Sequence, residues 1–341
     1  MSWTLLVRRD DLTSFELAHP MLEAPTAGSV RLAIEQVGLA ANNVTYAHLG
    51  ERAGYWTAFP APDGFGQLPA WGFGVVEASG HPGVAIGERF FGYFPLATHL
   101  TVHPELTGFG FVDAAPHRFG LHDYYRRYRR AEPPTELDGL RTVIRPVYGA
   151  SFLLADLART AAEPVSVVIS SASSKTATGI AHRLRAVGTV TTHALTSTAN
   201  QAFVEGLGYF DRVCPYAGVP EVDMPGPVVF LDLTRNLEVV SAVHQRLAGR
   251  LVRSVMVGGT HTGQPMDVGA LPGPTPQRFF APDADEAQLA GYEAAEDEFV
   301  RDAGRWLRAQ EQSGPEAMAN VFRTLLHGRQ DPSVAFVLRP G

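Results

Sequence analysis

Residues 167–184 read VVISSASSKTATGIAHRL: a compact apolar run, a turn of small polar residues, then apolar residues at helical spacing. Strand, tight turn and helix in that order form the unit that cradles a dinucleotide pyrophosphate, because the helix opens with unpaired N–H groups and the positive end of its dipole. The glycines usual in such a turn are absent, and serines and a lysine stand in their place.

The same alternation continues downstream. TGIAHRLRAVG reads as a helix closing on Gly188, TVTTHALT as a strand, NQAFVEGLG as a helix closing on Gly208, and DRVCPY and PVVFLDL as strands. LEVVSAVHQRLAG follows as a helix and LVRSVMVGG as a strand. Apolar strands alternating with amphipathic helices predict βαβ units and a doubly wound parallel sheet covered on both faces. Upstream, SVRLAIEQVGL, WGFGVVEAS, GERFFGYF and ATHLTVHP are short runs of β-branched and aromatic residues punctuated by Gly and Pro, the pattern of a small β domain. TELDGLRTVIRPVYGASFLLADLART, from about Leu137, changes to helical spacing. Beyond the doubly wound region, Leu271 to Gln277 reads as loop, EAQLAGYEAAEDEFVRDAGRWLRAQE as one amphipathic helix, and SVAFVLRP as a closing strand. The fold class expected is α/β: a β domain over 1–135 completed by 282–341, and a Rossmann-like domain over 136–281.

Composition narrows the function. A hydrophobic content of 45% in 341 residues supports a real core, and no apolar run is long enough to span a bilayer. A net charge of −7 leaves no basic surface for phosphate backbones, so no nucleic acid partner is expected. The first residues, MSWTLLVRRDD, lack the order of a secretory signal, and a cytoplasmic location is expected. Cys214 is the single cysteine, which excludes an intramolecular disulfide and any zinc site needing several thiolates.

Laid on the relaxed fingerprint A-x-x-G-x-x-G, the turn puts Ser170, Ser173 and Thr176 at glycine positions, with Gly179 three residues beyond. On a nucleotide-binding reading, Ser171, Ser173, Ser174 and Thr176 supply donors and Lys175 supplies charge; on a structural reading the hydroxyls cap the helix. A Walker A loop fails because Ile169 and Ser174 fill its glycine positions, and an S-x-x-K reading would need serine at Ala172. The second strand ends HALTSTANQ with no carboxylate to grip ribose hydroxyls. That favours NADP(H) over NAD(H), with Thr196 and Ser197 as candidates for the 2′-phosphate.

A β domain, an inserted dinucleotide-type domain and a returning strand resemble the plan of the medium-chain dehydrogenase/reductase superfamily. The resemblance rests on SVRLAIEQVGLAANNVTYAHLG, VVEASGHPGVAIGERFFGY and AFVLRP. More closely, NNVTYA, GYW, RPVYGASFLLADL, the SSASSKTA turn and VGGTHTG resemble a branch known only as a domain of unknown function. The resemblance implies a GroES-like β-barrel domain and zinc-free chemistry, since the zinc-ligand positions of metal-dependent members fall at Ala40 and near Ala70 and Trp71. It also places Gly259 and Thr260 beside a nicotinamide, His261 in the cleft as a proton donor, and Asn43 and Tyr46, with Asn42, along the substrate pocket. Tyr55 and Trp56 form an aromatic wall or ordinary core. HDYYRRYRRAEPP, residues 122–134, is either a solvated helix face or a run of arginines and tyrosines, Tyr124 to Arg130, that selects an anionic small molecule. Two activities are expected: an NADP(H)-dependent reduction of an activated carbonyl or enone, or cofactor-independent acid/base work such as C–C cleavage or isomerisation through His261. A homodimer is the assembly open to either.

Overall fold

The structure, a computed structural model, describes residues 2–160, 166–221, 224, 226–257, 271–283, 287–328 and 330–341. They form two compact units, residues 1–143 with 307–341, and residues 144–306.

The first unit opens with β1 (Thr4–Arg8), β2 (Phe15–Ala18) and β3 (Val30–Leu39), followed by helix α1 (Ala41–His48). Seven strands follow: β4 (Phe65–Gln67), β5 (Pro69–Ser79), β6 (Arg89–Pro95), β7 (His99–Val102), β8 (Pro104–Thr107), β9 (Gly110–Asp113) and β10 (Arg127–Arg130). Alternation along β3, where Val30, Leu32 and Ile34 are buried and the residues between them half-buried, directs one face into the core with Phe90, Phe94 and Phe111. Close backbone packing fixes one glycine: a Cβ on Gly92 would stand 2.3 Å from the Tyr128 ring.

Helix α2 (Asp138–Arg159) begins before the division between the units and ends beyond it. The second unit then runs β11 (Ser166–Ile169), α3 (Lys175–Val187), β12 (Thr191–Thr196), α4 (Gln201–Leu207), β13 (Arg212–Pro215), β14 (Val228–Asp232), α5 (Leu237–Leu247), β15 (Leu251–Val257), β16 (Gln277–Phe279) and α6 (Tyr292–Ala303). Its six strands are all parallel in the order β13-β12-β11-β14-β15-β16. The chain reverses direction across the sheet between β11 and β14, the switch point where open α/β sheets leave a crevice at their carboxyl ends. As expected from sequence, α3 stops at Gly188 and α4 at Gly208, both left-handed at φ 67° and 65°.

The polar stretch read from sequence as one helix divides. Helix α6 ends at Ala303, and β17 (Arg308–Ser313) follows in the first unit, pairing in parallel with β18 (Val334–Arg339) around helix α7 (Pro315–Leu326). Contrary to its expected place with the β domain, α6 packs in the second unit. Its buried Glu296 accepts from Arg145 Nε at 2.7 and 3.0 Å, and Phe299 stacks 5.3 Å from Tyr148.

A buried histidine, His193, sets an acid limit. Burial, followed by the Arg212 charge, holds His193 below its ordinary value of 6.5. A depressed folded pKa contributes stability above the unfolded value that is lost as pH falls through the folded one. The unfolding temperature should therefore drop as pH is lowered from about 7 to about 5, and His193→Leu should flatten that slope. A profile flat in the parent protein would contradict the assignment.

Candidate functional site

At the carboxyl end of β11 the chain turns through Ser170 to Ser174. Ser171 is left-handed at φ 51°, and among the described residues the other non-glycine residue with positive φ is Arg235 at φ 55°, just past β14. Both therefore flank the switch-point crevice, where strained backbone marks a candidate site.

The hydroxyls of this turn are used inside the protein. Ser170 Oγ donates to Asp232 Oδ1 at 2.7 Å and accepts from Leu233 N–H at 2.8 Å. Ser173 Oγ accepts from Asn200 Nδ2 at 3.0 Å. Ser174 caps α3, its Oγ accepting from Ala177 N–H at 3.2 Å. The capping reading thus holds for Ser174, and it meets one of the four amides that a helix start leaves over. Lys175 and Thr176 open the helix, and Thr176 O accepts from Ser151 Oγ at 2.9 Å, tying α3 to α2. Gly179 keeps that contact close, since a Cβ there would lie 2.7 Å from Ser151 Oγ. Ser171 N–H donates to the Tyr216 hydroxyl at 3.1 Å.

The end of β12 reaches the same turn, where Ala172 N–H donates to Leu195 O at 3.1 Å. Thr196, the next residue, is 1% exposed, and its Oγ1 has no partner among the described residues. A buried hydroxyl left unpaired is costly, so Thr196 Oγ1 is open to a partner from outside the described residues. Ser197 follows half-buried at the start of a short 3-10 turn. Gly259, Thr260 and His261 lie outside the described residues.

Asp232 was not singled out by sequence reasoning. Fully buried at the end of β14, it accepts from Ser170 Oγ, from Thr234 N and Oγ1 at 3.1 and 2.7 Å, and from Arg235 N–H at 3.0 Å. An acid closing an apolar strand of a doubly wound domain was the available signal. A groove of about 590 Å³ elsewhere in this unit is lined by Leu153, Asp156, Arg253 and Phe279, among others, and includes none of the residues named from sequence.

In the first unit, Asn43 spends its amide on structure: Oδ1 accepts from Ala40 N–H at 2.8 Å and Nδ2 donates to Pro69 O at 2.9 Å. It pins the start of α1. Tyr46, on the same helix, is buried, and its hydroxyl accepts from Trp71 Nε1 at 3.2 Å and Asn42 Nδ2 at 3.3 Å. Burial, with the Tyr55 charge second, pushes its pKa up. Tyr55 lies in the same ring cluster, 4.8 Å from Tyr46, while Trp56 is core, packed against Gly50 and Gly66.

The arginine run does not form one cationic face. Residues 123–126 make a 3-10 turn and 127–130 form β10, so successive side chains point to opposite sides. Tyr128 goes into the core, Arg126 pairs with Asp123, Arg130 pairs with Glu88, and Arg127 and Arg129 lie over Phe109. The solvated-helix expectation fails because the segment is a strand between β6 and β9. Among the described residues, no group of three His, Cys, Asp or Glu side chains could hold a metal ion, and no helix is long and apolar enough to cross a membrane.

The fold is that of medium-chain dehydrogenases and reductases. CurA from Vibrio vulnificus, solved in complex with NADPH, matches with a TM-score of 0.69 at 14% identity over 99% of each chain. The CurK enoyl reductase matches at 0.62 with 15% identity, and a probable oxidoreductase from Mycobacterium abscessus at 0.59 with 12%, each over 99% of both chains. No curated protein sequence matches the chain. A family model does, across residues 37–331, and the chain belongs to that family, described as a protein of unknown function (DUF2855).

Proposed function

We propose that the protein is a zinc-free, NADP(H)-dependent oxidoreductase that reduces an activated carbonyl or enone. The observation that carries this is Thr196: a buried hydroxyl without a partner among the described residues, at the end of β12, beside a left-handed turn and a helix start, with no carboxylate at the strand end. These residues fit a phosphorylated dinucleotide, with the first-turn amides of α3 and Lys175 on the pyrophosphate and Thr196 with Ser197 on the 2′-phosphate. When bound, the nicotinamide supplies a hydride. His261 is the proposed proton donor, with Gly259 and Thr260 beside the nicotinamide. Tyr46 holds its proton and orients the substrate, and Asn43 positions Tyr46 by fixing α1. CurA was solved with NADPH, which supports the cofactor but, at 14% identity, not the substrate.

Calorimetric titration tests the reading. NADPH should bind more tightly than NADH, and Thr196→Val should weaken NADPH by about 1–2 kcal/mol, the scale of one hydrogen bond to a charged group, without lowering the unfolding temperature of the free protein. Equal affinity for both nucleotides would remove the case for Thr196 and Ser197.

A second reading is a cofactor-independent acid/base enzyme on the same scaffold. It is favoured by the Tyr216 hydroxyl, which already accepts the Ser171 amide in the turn. Absence of any NADPH or NADH binding would select it.

A further inference from the structure

The groove of about 590 Å³ in the second unit is built by α2 on one side and the edge of the parallel sheet on the other. Leu153, Asp156, Leu157 and Thr160 recur at steps of three and four residues, so they form one stripe along the end of α2. Ser151 of α2 meets Thr176 in the first turn of α3, whereas Asp156 meets Arg183 two turns further along. Since α3 leaves the carboxyl end of β11 and runs back along the sheet, the stripe lies away from the switch-point crevice, toward the amino ends of the strands. On the sheet, Val257 pairs with Phe279 across β15 and β16, and Arg253 stands four residues before Val257, on the same face. Its neighbour Ser254 turns to the opposite face, where its Oγ lies 2.9 Å from His244 Nε2 on α5.

The charges of this groove do not cancel. Arg253 is half-buried and has no ion pair or hydrogen bond among the described residues. Asp156 accepts from Arg183 Nη2 and from Arg159 Nε, each at 3.0 Å, so its charge is met by two guanidinia that do not line the groove. Asp283, Arg278 and Gln288 are exposed. Leu153 is buried, and Leu157, Phe279 and Phe280 are half-buried, which makes the lining around Arg253 largely apolar. A guanidinium in such surroundings gains more from an anion than one in water, and its fork matches a carboxylate through two parallel hydrogen bonds. Rings at Phe279 and Phe280 suit a flat partner. The volume falls within the range of small-molecule sites, roughly 300–1,000 Å³.

We propose that this groove is a second small-molecule site, one that takes a planar organic carboxylate. The carboxylate pairs with Arg253, and the aromatic or conjugated body lies between Leu153 and Leu157 of α2 and Phe279 and Phe280 at the sheet edge. The site is formed within the second unit alone and needs no nucleotide.

The test uses the full chain, calorimetric titration with 2-naphthoate, and 2-naphthamide as the uncharged counterpart. Naphthoate should bind saturably, and naphthamide about tenfold more weakly or worse. Arg253→Met keeps the aliphatic stem and removes the charge, so it should weaken naphthoate by about tenfold or more, the loss of one charge-assisted interaction, and leave naphthamide unchanged. Leu157→Trp, which fills the groove, should weaken both. Lys175→Ala, which would weaken an anion held at the start of α3, should leave naphthoate binding as it was. Unfolding temperatures check that each variant folds, and Arg253→Gln serves if Arg253→Met does not. No saturable binding of naphthoate, equal affinity for naphthamide, affinity unchanged in the Arg253 variant, or a loss confined to Lys175→Ala would overturn the proposal. So would a parent dimer, seen by light scattering, that separates in Leu157→Trp, since the groove would then be covered by a second copy of the chain.

Discussion

Asp113→Ala is expected to destabilise the first unit by about 3–5 kcal/mol, the cost of leaving a buried charge without its partner. Asp113 and Arg118 are 1% and 0% exposed, and Arg118 Nη1 donates to Asp113 Oδ2 at 2.6 Å. The other carboxylate oxygen accepts from His103 N–H at 2.9 Å and Ala115 N–H at 3.1 Å. Alanine would strand two backbone amides as well as the guanidinium. The same Nη1 reaches the Tyr128 hydroxyl at 3.0 Å, which in turn donates to Tyr93 O, so the loss would spread along β6 and β10. Hydrogen exchange of the β6, β9 and β10 amides measures the local opening free energy directly. Asp113→Ala combined with Arg118→Met should recover most of the loss, because a matched apolar pair leaves no buried charge. Exchange rates unchanged in Asp113→Ala would show that water reaches the arginine and that the pair is not dry.

The parallel sheet was legible because its strands are buried on both faces and read as uninterrupted apolar runs: VVI in β11 and VVFL in β14. Strand β17 was not, because an exposed edge strand needs no apolar pattern. RAQEQS is polar apart from Ala309 and composed largely of good helix formers, so it merged with α6 in the sequence reading. Strand β16 has three residues and no core face, and its first residue, Gln277, was read as the end of a loop. The arginine run shows a different limit. Charge density suggested one surface, whereas the period of two in β10 sends Tyr128 inward and its neighbours outward. The serines of the turn were legible as a list of donors, but their partners were not, since Asp232, Asn200 and Tyr216 arrive from distant segments. Asn43 and Tyr46 sit three residues apart on one helix. Only tertiary contact decides that the first is consumed by backbone and the second keeps a proton.

Asp232→Ala should cost about 3–5 kcal/mol in the second unit, since it leaves several buried donors unsatisfied at roughly 1–3 kcal/mol each before relaxation. The donors are Ser170 Oγ, Thr234 N and Oγ1, and Arg235 N. Asp232 joins the ends of the two strands that border the switch point and holds Arg235 in its left-handed conformation. Ser170 in turn leads directly into the left-handed Ser171. If the turn binds a dinucleotide, the substitution should weaken NADPH by an amount that tracks the loss of order in β11 and β14, read by hydrogen exchange and by calorimetry on the same sample. Asp232→Asn keeps one acceptor oxygen but sets an amide N–H against a donor, so its cost should be smaller, about 1–3 kcal/mol. Loss of stability in both variants with NADPH affinity untouched would place the nucleotide away from the switch point. In that case Asp232 serves as a clamp on the sheet.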